Sequence, residues 1–230
     1  MISSKMARWI SVIAGIVSLF VSAHFKTFLV VPCGGLAANY PTVLAFELAR
    51  TLGDLAQIFG LGACMQHDGT TLVSGLNTVN WWDMAAFIPT YGAFLFFYFL
   101  ARRDAPLWQL GAALVVVACG ADYVEDWCLA GLAQQHTAVT SWLAILPWAT
   151  AVKWIGLGIV VALGGYQFAR AGGLWRWIIA LIGIAGFVAT VMAIFSPHQY
   201  APYLTGPIAL AFVALLVAEL FEIVRPPRAA

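Results

Sequence analysis

Asp122, Glu125 and Asp126 stand at positions i, i+3 and i+4 of the stretch 118–127, Ala-Cys-Gly-Ala-Asp-Tyr-Val-Glu-Asp-Trp. That spacing puts all three carboxylates on one face of a helix. The flanking residues are those of a membrane-spanning helix, where a carboxylate is costly and is expected to meet a proton, a cation or a polar ligand. Lys153 lies in the next apolar run, and a lone lysine at mid-membrane costs about 3 kcal/mol, so a partner is expected. Asp122 is the first choice and Glu125 the second. Carboxylates in unequal surroundings, one beside a cation and one beside another carboxylate, supply an acid and a base at one pH, as general acid/base chemistry requires. Asp122, Glu125, Asp126 and Lys153 are therefore the candidate catalytic group, with Asp83, Tyr91 and Glu47 as candidate ligand-binding residues. The alternative is an ion-pair network that fixes helix packing and does no chemistry. Cys119, three residues before Asp122, reads as a packing residue rather than a nucleophile.

The elements that must position these residues are membrane helices. The chain is 63% hydrophobic and 9% charged, against about 25% charged in soluble domains. A net charge of +1 and the lack of a Gly-rich phosphate loop leave no reading as a nucleic-acid or nucleotide binder. Apolar runs at 9–31, 81–101, 107–132, 142–168, 174–195 and 206–224 are each long enough for a span of about 20 residues. The expectation is an all-α, six-span bundle.

Basic residues orient it. Lys5 with Arg8, Arg102 with Arg103, Arg170 with Arg176, and Arg225 with Arg228 fall on one side, while the other side has Lys26 and Arg50. The positive-inside rule then makes both termini cytoplasmic in a bacterial-type inner membrane, with the loop 32–80 on the periplasmic side. Val21-Ser22-Ala23 resembles a cleavage site, but the apolar run continues past it, so a retained first span is preferred over a signal peptide.

Within the loop, Pro41 to Gly60 reads as one amphipathic helix lying on the membrane or capping the bundle. Glu47, Arg50 and Asp54 then read as its solvated charged face, and Asn77-Thr78-Val79-Asn80 as a turn before a second span that begins near Asp83. Cys33 and Cys64 flank this loop, where a disulfide is permissible. His24, His67, His136 and His198 all fall at outer ends or outer loops; none has i, i+4 spacing, and no metal or cofactor is assigned. Glu219 and Glu222 near Arg225 read as interfacial. Glycines 156, 158, 164, 165, 183 and 186 read as sites of close helix approach, and Pro89 and Pro147 as local kinks.

Four short stretches resemble uncharacterised bacterial polytopic integral membrane proteins: Phe46-Glu47-Leu48-Ala49-Arg50-Thr51, Asp83 with Phe87-Ile88-Pro89-Thr90-Tyr91, Ala121-Asp122-Tyr123-Val124-Glu125-Asp126, and Lys153. In that set an asparagine often follows the glutamate, where this chain has Asp126. The resemblance implies that these polar positions belong together and carries no established activity. Three function classes follow: a pocket for a small or lipid-like ligand with acid/base chemistry, a proton- or cation-coupled transporter, and an accessory subunit that binds partner membrane subunits. Outside the ligand, the expected surroundings are the lipid bilayer.

Overall fold

The computed structural model describes residues 2–28, 30–37, 40–60 and 71–224 of the 230-residue chain, and these form an all-α protein. Cys64, His67, Asp68, Arg225 and Arg228 lie outside the described residues. Helix α1 spans Ser4–His24, capped by the Ser3 hydroxyl, which accepts from the Met6 N–H at 3.2 Å. The Thr27 hydroxyl donates to the His24 carbonyl at 2.7 Å and closes that end, so the helix stops short of residue 31. Its N-terminal half is held in the bundle by the Ser11 hydroxyl, which donates to the Phe94 carbonyl at 2.9 Å.

The single helix expected over 41–60 is corrected to two, α2 (Thr42–Glu47) and α3 (Leu52–Phe59). A capping box divides them. The Thr51 hydroxyl accepts from the Asp54 N–H at 3.1 Å, and the Asp54 carboxylate accepts the N–H groups of Thr51 and Arg50, each at 2.9 Å. Side-chain bonds of this kind satisfy a fresh helix start and compete with a continuous helix. Gly60, at φ 68°, ends α3. Phe46, Leu55, Ile58 and Phe59 pack with Leu76, Leu129, Leu132 and Leu146, which fastens the pair to the ends of three longer helices.

The turn expected at 77–80 is also corrected. Helix α4 (Leu72–Trp82) begins at Thr71, whose side chain accepts from the Ser74 N–H at 3.2 Å. It runs through one π turn, Asp83–Phe87, into α5 (Ile88–Leu100). Pro89 is the cause: it has no N–H for the carbonyl four residues back, and its ring presses on that turn. The Ile88 N–H instead reaches the Asp83 carbonyl, and the Thr90 hydroxyl donates to the carbonyls of Ala86 and Phe87 at 2.7 and 3.0 Å. Asp83 therefore sits in the middle of a long helix rather than at its start.

Helices α6 (Trp108–Gln134), α7 (Ser141–Ala169), α8 (Leu174–Phe195), α9 (Pro197–Tyr200) and α10 (Thr205–Val224) complete the chain. Ser4–Thr27, Leu72–Leu100, Ser141–Ala169, Leu174–Phe195 and Pro197–Val224 are long and apolar enough to cross a membrane. This is a multi-span membrane protein. Helix α6 has the length, 27 residues, but carries the three carboxylates and is not among the five.

Small residues bring the long helices together. A Cβ at Gly165 would lie 2.8 Å from Ala180 Cα, and one at Gly183 would lie 3.0 Å from the carbonyl carbon of Val161, so α7 and α8 touch backbone to backbone. At the end that holds Arg8, the guanidinium of Arg102 pairs with Glu219, Arg8 lies 3.5 Å from Glu219, and Arg176 lies 2.7 Å from Glu222. Glu219 is fully buried, and Arg8 of α1, Arg102 of the turn after α5 and Arg176 of α8 converge on the C-terminal end of α10.

Candidate functional site

The short 135–140 connection makes α6 and α7 antiparallel neighbours. A Cβ on Gly156 would meet the Ala118 Cβ at 3.2 Å, so the two helices come close at that level. Moving toward the α6–α7 loop adds four and seven residues to Ala118, reaching Asp122 and Glu125, and subtracts three from Gly156, reaching Lys153. The same faces that pack at Ala118 and Gly156 must therefore bring carboxylates and lysine together one turn further on. They do: Lys153 Nζ lies 2.6 Å from Asp122 Oδ1 and is hydrogen-bonded to Glu125 Oε2. Both expected partners are present, buried with the lysine at exposures of 1%, 0% and 5%.

Helix α2 supplies a third carboxylate. The Thr150 hydroxyl donates to the Glu47 carbonyl at 2.9 Å, satisfying an end-of-helix acceptor, and Trp154 Nε1 donates to Glu47 Oε2 at 3.1 Å. Glu47 Oε2 thereby stands 3.6 Å from Lys153 Nζ. Burial pushes the Glu47 carboxyl above its ordinary pKa, with the Lys153 charge acting in the opposite sense. The solvated face expected for Glu47, Arg50 and Asp54 is corrected at Glu47, while Arg50 stays exposed and Asp54 half-buried. Glu47 is buried in the cluster, Asp54 caps α3, and the Arg50 guanidinium donates to the Ile194 carbonyl.

Tyr91 donates its phenol proton to Asp122 Oδ2 at 2.6 Å, so Asp122 has one oxygen on a cation and the other on a donor. Asp83 and Asp126 differ. Asp83 Oδ1 and Asp126 Oδ2 are buried without a hydrogen-bond partner, and one oxygen from each of Asp83, Asp122 and Asp126 lies within 4.8 Å of the others. Of the three, Asp122 has both oxygens engaged by Lys153 and Tyr91, and Asp83 and Asp126 each keep an oxygen free among the described residues.

The cluster forms the floor of a cavity of about 310 Å³. Glu47, Asp83, Tyr91, Asp122, Asp126 and Lys153 all reach its wall, whereas Glu125 stands behind Lys153, away from it. The other walls are largely apolar, with Leu44 from α2, Phe87 and Leu157 from the core helices, and Ile208 and Phe212 from α10. Leu19 and Ser22 of α1 and Thr205 and Ala209 of α10 line it while exposed to the outside, so the mouth lies between those two helices. Below the mouth α1 and α10 close up, where a Cβ at Gly15 would sit 3.0 Å from a Leu216 methyl.

Sequence reasoning missed Asn80, Thr150 and Trp154. Asn80 is 3% exposed, reaches the cavity wall, and its Nδ2 has no hydrogen-bond partner. Its signal was the i, i+3 spacing to Asp83, hidden because the segment read as a turn. Among the described residues the histidines are elsewhere: His24 packs on Trp82 at 4.7 Å between ring centroids, His136 stacks on Phe59 at 4.2 Å, and His198 Nε2 lies 3.7 Å from Asp54. Cys119 and Cys128 are free thiols, and Cys33 is disulfide-bonded. Comparison with protein-family models, curated proteins and solved structures finds no match to this chain.

Proposed function

We propose that this protein binds a lipid-like amphiphile, with the ligand's polar end on the Lys153 and carboxylate floor and its apolar end leaving between α1 and α10. The observation that carries this reading is the pairing of an apolar mouth with a buried charged floor in one cavity. A volume of about 310 Å³ is at the small end of ligand sites, which run from about 300 to 1,000 Å³. It accommodates a head group and the first carbons, so a long tail must lie in the mouth against lipid.

In this reading α6 is a sixth span, because its carboxylates are turned into the bundle and neutralised there rather than facing lipid. The arginines gathered around Glu219 and Glu222 mark the cytoplasmic end of an inner-membrane bundle with both termini inside, and α2 and α3 cover the cavity from the periplasmic side. Asp126, which has no ion pair at 4.0 Å or less among the described residues, is the group best suited to exchange a proton with the ligand, and Tyr91 and Lys153 engage both oxygens of Asp122 beside it. A transporter is disfavoured by what lies under the cavity: Phe94, Tyr98 and Phe99 fill that half, and the Tyr98 hydroxyl is tied to the Gly164 carbonyl at 2.9 Å. An accessory subunit bound to partner membrane subunits needs no cavity of this kind.

Native mass spectrometry of protein taken from its own membrane in polymer-bounded lipid discs tests the reading. The expected result is an amphiphile retained by the wild type and lost from Ser22→Trp and Ala209→Trp, which plug the mouth at exposed positions. Wild-type protein that emerges empty, or an adduct that both plugged variants keep, overturns it.

A further inference from the structure

The floor of the cavity is imbalanced in a way that specifies its occupant. Among the described residues Glu47, Asp83, Asp122, Glu125 and Asp126 share one lysine, and the lysine's partners within 4.0 Å are Glu47, Asp122 and Glu125. Asp83 and Asp126 are left with free oxygens on the cavity wall. An anionic head group would meet these carboxylates with no cation to spare. Asn80 adds an independent requirement, because its Nδ2 is a buried donor without an acceptor, on a side chain 3% exposed on the same wall.

Resting on the reading of the cavity as an amphiphile site, we propose that the ligand's polar end is a cationic amine with an oxygen beside it, the amino-alcohol class. The ammonium donates to Asp83 Oδ1 and Asp126 Oδ2, and the oxygen accepts from Asn80 Nδ2. A charged donor between two carboxylates makes hydrogen bonds of the strong kind. A divalent ion fits less well. It asks for six or more oxygens, whereas Asp122 already spends one oxygen on Lys153 at 2.6 Å and the other on Tyr91 at 2.6 Å. The ammonium of Lys153, so close to Asp122, would also repel a second positive centre more strongly when that centre is doubly charged.

The test measures binding of a tritiated long-chain 2-amino alcohol, its uncharged N-acetyl derivative and ethanolamine to the full chain in nanodiscs. Wild-type protein is expected to bind the amine about 10- to 100-fold more tightly than the N-acetyl compound, the ratio that charge-assisted hydrogen bonds give. Asp126→Asn and Asp83→Asn are each expected to remove most of that ratio. Two variants are used so that one misfolded protein, recognised by its elution on gel filtration, does not decide the outcome. Equal binding of amine and N-acetyl compound by wild type, or an unchanged ratio in a folded Asp83→Asn protein, overturns the amine while leaving the amphiphile reading standing. Binding of neither long-chain compound overturns both. Ethanolamine binding as tightly as the long-chain amine supports the amine and overturns the lipid-like tail. Wild-type protein that binds Mn²⁺ but does not distinguish the amine from its N-acetyl derivative assigns the floor to a metal and overturns the proposal.

Discussion

Replacing Lys153 by Met keeps the length of the side chain and removes its charge. The change leaves Asp122, with its Oδ1 formerly 2.6 Å from the ammonium, and Glu125 facing one another in a buried site without a cation. Removing one partner of a buried ion pair costs about 3–5 kcal/mol, because the remaining charge is neither hydrated nor compensated. For a chain of this length each kcal/mol moves the melting temperature by about 2–4 °C, so Lys153→Met is expected to melt about 6–20 °C below wild type. The triple variant Lys153→Met, Asp122→Asn, Glu125→Gln removes the two closest carboxylate charges along with the lysine, leaves Glu47, and is expected to regain part of the loss. Thermal unfolding in detergent, followed by tryptophan fluorescence with gel filtration to exclude aggregation, measures both. A single variant that melts with the wild type, or a triple variant no more stable than the single one, would refute the argument that mutual charge compensation holds α6, α7 and α2 together.

The glycine contacts predict opposite outcomes at two positions. Gly165→Val, whose Cβ would lie 2.8 Å from Ala180 Cα, is expected to lose about 1–3 kcal/mol by forcing α7 from α8, whereas Gly120→Ala, with nothing within 4 Å of the added Cβ, is expected to melt at or above wild type. Thr51→Val removes the hydroxyl of the capping box and is expected to cost about 1 kcal/mol, with faster amide exchange confined to 51–55 in α3. Tyr40, 3.4 Å from the Pro197 carbonyl, has its phenol pushed from 10.0 up to about 12 by burial first and by Asp54 second. Between those values the unfolded chain gives up this proton while the folded one keeps it, so this residue's share of stability falls as pH rises across the window. The ultraviolet difference between wild type and Tyr40→Phe should show a phenol titrating near the upper value; titration near 10.0 would contradict the burial.

Much of the architecture was legible in the chain because hydropathy and helical period are local properties. Apolar runs located the long helices, the i, i+3, i+4 spacing put Asp122, Glu125 and Asp126 on one face, and the expense of a lysine in an apolar helix predicted its pairing with α6. Glu47 was legible only in part. As one of three charges at helical spacing it looked like a solvated face, and nothing local says that a capping box at Thr51 breaks the helix and turns Glu47 toward Lys153. Asn80 and the depth of Asp83 were lost for a similar reason: Asn77 to Asn80 have turn-like composition, and only the start of α4 at Thr71 together with packing against α6 keeps them helical.

By itself, then, the order of residues determined that this is a helical membrane protein and which face of α6 is charged, since both follow from a periodicity read within one element. Tertiary structure decided which carboxylates compensate Lys153 and which stay free, because that depends on the approach of α2, the α4–α5 π turn, α6 and α7 from distant parts of the chain. The cavity mouth was decided there too, by the gap between the first long helix and the last, a relation between elements that no local pattern encodes.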